Sequence, residues 1–339
     1  MCLLHNILAI ESSCDETAAS VVSYDDGFII KSNFISTQID THKIYGGVVP
    51  EIASRMHIES ISGVVDGAMK EANITFSDID AIAVTYAPGL VGALLVGVNY
   101  AKALSSALNI PLVPVHHIQG HICANFLATA DLKPPFMCLV ASGGHSTIVK
   151  VSDYDIYETV AKTRDDAAGE AFDKISRVLG LGYPGGPAIQ KASEKGDHSA
   201  FSFPKVSFQE NCDFSFSGVK TAVINTIHKM EQKGEEVPKN DIAASFQYCV
   251  CDVLASRLIN CAKDHGVNTV ALAGGVAANS NLRELVEFYA KEENMRFVYP
   301  PVSLCTDNAA MIGARGYFSF LKSEFAGSEL NAIATKDIM

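Results

Sequence analysis

The chain has 339 residues, 48% of them hydrophobic, and a formal net charge of −12 from 26 Lys+Arg against 38 Asp+Glu. That length suits two domains of ordinary size with two buried cores, and the acidic balance argues against general nucleic-acid binding, because a polyanion wants a basic face. Up to residue 130 there are 5 Lys+Arg against 12 Asp+Glu, so any RNA footprint is expected mainly on the later part of the chain or on a partner subunit.

Nine cysteines, at 2, 14, 123, 138, 212, 249, 251, 261 and 305, contain no C-x-x-C pair. They read as free thiols in a reducing cytoplasm. The N-terminus "MCLLHNILAIESS" meets acidic Glu11 without a basic n-region or a small-residue cleavage site, which disfavours a secretory signal. The uncharged run 81–101 is long enough to cross a bilayer, but Pro88, Gly89 and Gly92 interrupt it. A buried strand, a turn and a buried helix are expected there, with no membrane association.

In chain order, residues 7–13 form an apolar strand that stops at small polar residues, and "CDET" then leads into the alternating "AASVVSY". This reads as a β-hairpin with a polar tip, and "FIIKSNFIS" supplies a third strand. Residues 50–73 carry apolar side chains at helical spacing. A strand at 81–86, a helix at 92–107, a strand at 112–115 and a helix carrying histidines complete the series. Much of the order recurs from residue 136: a strand ending in "SGGHS", then "TIVKV" and "YETVAKT". A strand at 269–273, a helix at 280–290, a strand at 295–299 and a helix at 307–320 close the second copy. Two βββαβαβα-type copies around a central cleft describe the α/β fold of the actin, sugar-kinase and Hsp70 class (ASKHA). Expected domains are 1–130, then 131–325 with a helical insertion at about 165–265, then a tail at 326–339.

The histidine helix, within "VPVHHIQGHICANF", places His117 and His121 four residues apart on one face, where both imidazoles can chelate one cation. Such pairs are more often plain surface or core pairs, and the glutamate of a zincin is missing between them. Their position at a strand end, where open α/β sheets collect ligands, favours a metal. The repeat places the start of the last helix opposite the histidine helix, so Asp307 is the expected third ligand, donated by the second domain; otherwise Asp307 is the N-cap of that helix. Iron or zinc suits such a set. Within "DDAAGEAFDK" Asp173 lies eight residues after Asp165, about two helical turns, and is a candidate to bond a ribose or hold a cation, or else an ordinary exposed helix acid. Three small-residue segments, at 12–17, 142–146 and 274–279, offer backbone N–H groups to a phosphate or an oxyanion. No Walker A, G-x-G-x-x-G or G-x-S-x-G sequence is present. Cys14 reads as a packing residue, whereas Asp15 and Glu16 are candidates to contact a metal, water or substrate amine.

Taken together, "IESSCDET", "YGGVVPEIASR", "PGLVGALLVG", "PVHHIQGH", "ASGGHS", "DDAAGEAFDK", "YPGGP", "DFSFSGVKT", "AGGVAAN" and "CTDNAAM" closely resemble the tRNA N6-adenosine threonylcarbamoyltransferase family, TsaD in bacteria. The match runs from about residue 7 to about residue 320. The resemblance implies transfer of a threonylcarbamoyl group from threonylcarbamoyl-AMP to the N6 amine of adenosine 37 in tRNAs reading ANN codons. It implies iron, with zinc as the alternative, on His117, His121 and Asp307. It implies an adenylate, whether threonylcarbamoyl-AMP or ATP/ADP, on Val140, Ala141, Ser142, Gly143, Gly144, Asp173, Gly186 and Asn279. It further implies TsaB-like and TsaE-like partner proteins. It assigns no base; Asp15 and Glu16 are the first residues to consider for that role. Ser12, Ala141 and Gly182 depart from the more usual threonine, valine and acidic residue, and none of these removes a ligand. Two other readings compete: a metalloprotease, weakened by the missing general base, and an ATP-dependent small-molecule kinase of the same fold.

Overall fold

A computed structural model describes residues 5–205 and 212–338. Cys2 and part of the leader reading lie outside these residues. The chain divides into two compact units. The first comprises residues 1–133, 153–157 and 300–339, and the second comprises residues 134–152 and 158–299.

In the first unit, β1 (Asn6–Glu11), β2 (Glu16–Tyr24) and β3 (Phe28–Thr37) form an antiparallel meander. The short α1 (Ile39–Lys43) and the long α2 (Pro50–Ala72) follow. Then come β4 (Ala81–Ala87), α3 (Val91–Leu108), β5 (Leu112–His116) and α4 (His117–Ala128). Strands β4 and β5 extend the sheet in parallel, giving the order β3-β2-β1-β4-β5. Asn73 stops α2 in the left-handed conformation, and Asn109 stops α3 in the same way, as C-terminal caps favour. The uncharged run at 81–101 resolves into β4, a turn at Pro88–Gly89 and the start of α3.

The second unit repeats the plan. Strands β6 (Phe136–Ala141), β7 (Ser146–Asp153), β8 (Ile156–Lys162), β9 (Thr269–Ala273) and β10 (Arg296–Val298) stand in the order β10-β9-β6-β7-β8. Read from the other edge this is third, second, first, fourth, fifth, the same order as in the first sheet. The helical insertion consists of α5 (Ala168–Leu179), α6 (Gly185–Ser193), α7 (Ser217–Gln232) and α8 (Lys239–Asp264). Helix α9 (Ser280–Glu292) follows β9, and α10 (Ala309–Leu321) comes last. Helices α3 and α8 are each long and apolar enough to cross a membrane; 83% of the apolar window of α8 is buried within the protein, as in a core helix, whereas only 28% of that of α3 is, short of the buried helix expected there.

Strand β1 shows why the first sheet reads as unbroken apolar sequence. Ile7 and Ala9 pack into a core with Val113, Val115, Met311 and Ile312. Leu8 and Ile10 pack on the opposite face with Ile61, Val64, Val98 and Ala101. Both faces are covered, so the period-2 alternation is lost. Helices α2 and α3 cover one face, and α4 and α10 the other.

Placement of α10 corrects the expected domain division. The last helix was expected in a second domain ending at 325, yet residues 300–339 belong to the first unit, where α10 packs against α4 and β1. Glycines permit the approach. A Cβ on Gly316 would sit 2.5 Å from Ala83 Cβ, and one on Gly120 would sit 2.6 Å from Ile312 Cδ1. Gly316→Val is therefore expected to destabilise the protein by about 1–3 kcal/mol, read as a lower urea midpoint.

The tail follows α10 along the same unit. Ala326 N–H donates to Leu112 O (2.9 Å), Ile333 N–H to Tyr86 O (2.9 Å), and Gly89 N–H to Ala334 O (3.1 Å).

Candidate metal centre and adenylate cradle

His116 ends β5 and is the N-cap position of α4, so His117 and His121 project from the first and second turns of a helix that starts at the carboxyl end of a parallel strand. Their rings stand 4.6 Å apart between centroids at 80°. Asp307 comes from the loop before α10, where Asn308 takes the capping role by accepting from Met311 N–H at 3.0 Å. The N-cap reading therefore falls to Asn308. Asp307 Oδ1 lies 3.1 Å from His121 Nε2 and 3.6 Å from His117 Nε2. One ligand atom from each of the three lies within 4.8 Å of the others. All three residues stand in the same unit; the expected donation of Asp307 from the second domain is corrected with the placement of α10.

The residues fit a divalent cation. His121 is fully buried, and among the described residues neither ring nitrogen has a hydrogen-bond partner, Nε2 meeting Asp307 only as an ion-pair contact at 3.1 Å. Buried polar atoms left so are costly, and a metal on Nε2 removes one of them. Two imidazoles and a carboxylate leave coordination positions open, as zinc or ferrous catalytic sites do.

A residue that the sequence reading passed over stands behind His117. Glu11, at the end of β1, is fully buried. Its Oε1 accepts from Ser13 N–H at 2.5 Å. Its Oε2 accepts from Thr85 Oγ1 at 2.7 Å and faces His117 Nδ1 at 3.0 Å. The only sequence signal was a carboxylate closing the apolar strand "NILAIE", where burial of an acid demands partners. Burial opposes charge on both members of the pair, yet each holds the other ionised. Glu11 is lowered by His117, and His117 is raised to about 9 by Glu11 and Asp307.

The hairpin tip between β1 and β2 lies in this unit and carries Cys14, Asp15 and Glu16. It is pinned from outside: Gln38 N–H donates to Asp15 O at 3.1 Å, and buried His57 contacts Cys14 O at 2.9 Å and Thr17 Oγ1 at 2.7 Å. Burial, then Asp307 and Asp15, push the Glu16 carboxyl up to about 10. Burial and the same acids raise the Cys14 thiol, the opposite of an activated nucleophile.

The expected adenylate residues gather in the second unit. Val140 and Ala141 end β6, and Ser142, Gly143 and Gly144 turn into β7. Gly169 at the start of α5 donates its N–H to Ser142 O at 3.1 Å. Asp173 Oδ1 accepts from Gly185 N–H at 2.7 Å, fixing the start of α6 beside α5 and placing Gly186 next along it. Gly274, at φ +85°, puts its would-be Cβ 2.4 Å from Ala141 O, which brings the 274–279 turn against the end of β6. Asn279 caps α9 by accepting from Leu282 N–H at 3.1 Å and donates to Gln247 Oε1 at 2.8 Å. Segments 142–146 and 274–279 thus meet, whereas 12–17 belongs to the first unit with the histidines. Asp165 precedes α5 instead of sharing its face with Asp173; its carboxylate accepts from Phe216 N–H (2.8 Å) and Ser217 Oγ (2.6 Å).

The glycines divide by what surrounds them. A Cβ on Gly169, Gly185 or Gly274 would strike backbone within 2.6 Å, whereas one on Gly143, Gly144, Gly186 or Gly275 would meet nothing within 4 Å among the described residues. The second group borders open space, as a cradle for a ligand requires.

A sheet order of third, second, first, fourth, fifth strand repeated in two units is the mark of the ASKHA fold. Two solved structures share the fold at low identity: HypF from T. kodakarensis (TM-score 0.65, 15% identity, 96% of this chain and 49% of that one) and full-length HypF in a phosphate- and nucleotide-bound form (TM-score 0.61, 14%, 94% and 46%). The family model for TsaD, tRNA N6-adenosine threonylcarbamoyltransferase, matches residues 29–314. Curated proteins of that name are 58% identical in Clostridium novyi (strain NT), over 96% of each chain, and 55% identical in Clostridioides difficile (strain 630), over 96% of each chain. The chain belongs to the tRNA N6-adenosine threonylcarbamoyltransferase family.

Proposed function

We propose that this chain transfers the threonylcarbamoyl group of threonylcarbamoyl-AMP to the N6 amine of adenosine 37 in tRNAs reading ANN codons. Identity of 58% across 96% of both chains with a curated threonylcarbamoyltransferase carries the reading.

The donor is a mixed anhydride, already activated, so no covalent nucleophile is required. The amine nitrogen forms a bond to the carbamoyl carbon, the bond from that carbon to the phosphate oxygen breaks, AMP leaves, and one proton is lost from nitrogen. Backbone N–H groups around Ser142, Gly143 and Gly144, with the start of α6 at Gly186, suit the phosphate and its growing charge. Asp173 and Asn279 suit the nucleoside. A divalent cation held by His117, His121 and Asp307, iron or zinc by donor type, would supply Lewis acidity toward an oxygen of the acyl donor. Asp15 and Glu16, whose side chains hydrogen-bond to each other, are the carboxyls this tip offers, with Asp15 the acceptor for the proton because Glu16, pushed up to about 10, already carries one. Cytoplasmic location, a share of tRNA binding taken by TsaB-like and TsaE-like partners, and occupation of the cradle by ATP or ADP belong to the same reading. The acidic net charge supports the sharing of tRNA.

The test is mass spectrometry of nucleosides from unmodified tRNA incubated with this protein, threonylcarbamoyl-AMP and the partners. N6-threonylcarbamoyladenosine is expected; its absence with the complete set rejects the reading. Phosphorylation of small hydroxyl or carboxyl substrates without tRNA would point to a kinase instead.

A further inference from the structure

We infer that Glu11 is a positioning residue for the metal centre: it fixes His117 as the Nδ1–H tautomer and so presents the Nε2 lone pair to the cation. The inference rests on the reading that His117, His121 and Asp307 hold a metal.

Three elements meet at this carboxylate. It ends β1, accepts from Thr85 on β4 and from the Ser13 amide of the hairpin tip, and faces His117 at the start of α4. Oε1 is committed to a backbone N–H, and Oε2 already takes a hydroxyl proton, so the group acts only as an acceptor. An imidazole nitrogen 3.0 Å from such an oxygen carries a proton, and Ser13 Oγ, 3.2 Å from the same nitrogen, then stands beside it as a second acceptor. When the imidazolium gives up one proton to a cation, Nδ1 keeps its hydrogen and Nε2 becomes the ligand atom, and it is Nε2 that points to Asp307 at 3.6 Å. A carboxylate behind a ligating histidine also raises the basicity of the ring.

Glutamine keeps the shape and breaks the logic. With its oxygen at the Oε2 position, its NH2 meets the Ser13 N–H, donor against donor. Turned over, its NH2 donates to Nδ1 and drives the proton to Nε2, which blocks coordination. No orientation satisfies all three partners.

The experiment titrates Co2+ alone into metal-free, full-length wild type, Glu11→Gln, Thr85→Val and His121→Ala, and follows the visible d–d bands. Glu11→Gln is expected to bind about 10–100-fold more weakly, the usual effect of losing an outer-shell partner. Thr85→Val, which removes one bond to Glu11 and leaves His117 untouched, should lose only a few-fold, and His121→Ala should bind no Co2+ at this site. Long-range 15N–1H histidine spectra of zinc-loaded protein read the tautomer directly: Nδ1–H for His117 in wild type and in Thr85→Val. Equal Co2+ affinity for wild type and Glu11→Gln, with His121→Ala still defective, overturns the role of Glu11 alone. An Nε2–H His117 in wild type does the same even if Glu11→Gln fails to fold. No Co2+ bands in wild type would instead remove the metal reading beneath it.

Discussion

Asp307→Asn is expected to lower affinity for Co2+, Zn2+ or Fe2+ by more than about 100-fold, beyond the cost of an outer-shell partner, and to cut tRNA threonylcarbamoylation by a comparable factor. Stability gives a second, independent readout. A metal at 100 times its Kd stabilises the fold that binds it by about 2.7 kcal/mol, so wild type should melt higher with metal than with chelator. The asparagine variant should show no such difference. In chelator the asparagine gives up the attraction that helps hold His117 protonated, so the metal-free variant is not expected to exceed metal-free wild type in stability. Binding is also expected to release a proton, because His117 stands at about 9 in the metal-free protein. Apparent affinity should therefore rise about tenfold per pH unit from pH 6 to 8, where His117 must give up that proton. A variant that still gains stability from metal would exclude Asp307 as a ligand.

A pair of glycine substitutions tests the cradle. Gly144→Val adds its side chain into open space, and the residue is outside the left-handed region. Stability should change by less than about 0.5 kcal/mol, as at surface positions away from special features, while AMP affinity measured by calorimetry falls at least about tenfold. Gly274→Ala should behave in the opposite sense. Its Cβ would lie 2.4 Å from Ala141 O at a φ of +85°, so it is expected to destabilise the protein by more than about 1 kcal/mol before any ligand is added. Unchanged AMP binding in Gly144→Val would move the nucleotide away from this turn.

The repeat was legible because its elements carry strong local signals: the buried run of β1, the helical spacing of α2, and the Pro-Gly break that splits residues 81–101. The order of elements along the chain followed from them, whereas the order of strands in each sheet is seen only in the structure. The unit to which α10 belongs was not legible. Its small residues read equally well as a close to the second copy, and only the contact of Gly316 with Ala83 and of Gly120 with Ile312 shows which sheet it covers. His117 and His121 were visible because helical spacing puts i and i+4 on one face. Glu11 was missed, since its partners Thr85 and His117 lie 74 and 106 residues away and the one local sign, an acid closing an apolar strand, points to neither of them. Asp165 misled for a related reason. "DDAAGEAF" carries helix-forming residues, but the carboxylate of Asp165 is engaged by Phe216 and Ser217, and the helix starts only at Ala168.

The first unit is finished by the last helix of the chain, with the whole second unit spelled out between β5 and α10. On the ribosome, Ile7, Ala9 and Val115 would face water on one side until residues 309–321 had emerged. His117 and His121 would wait as long for Asp307. A nascent chain would therefore acquire its three-ligand set only near the end of synthesis, and truncated products would expose an apolar sheet for chaperones and proteases to find.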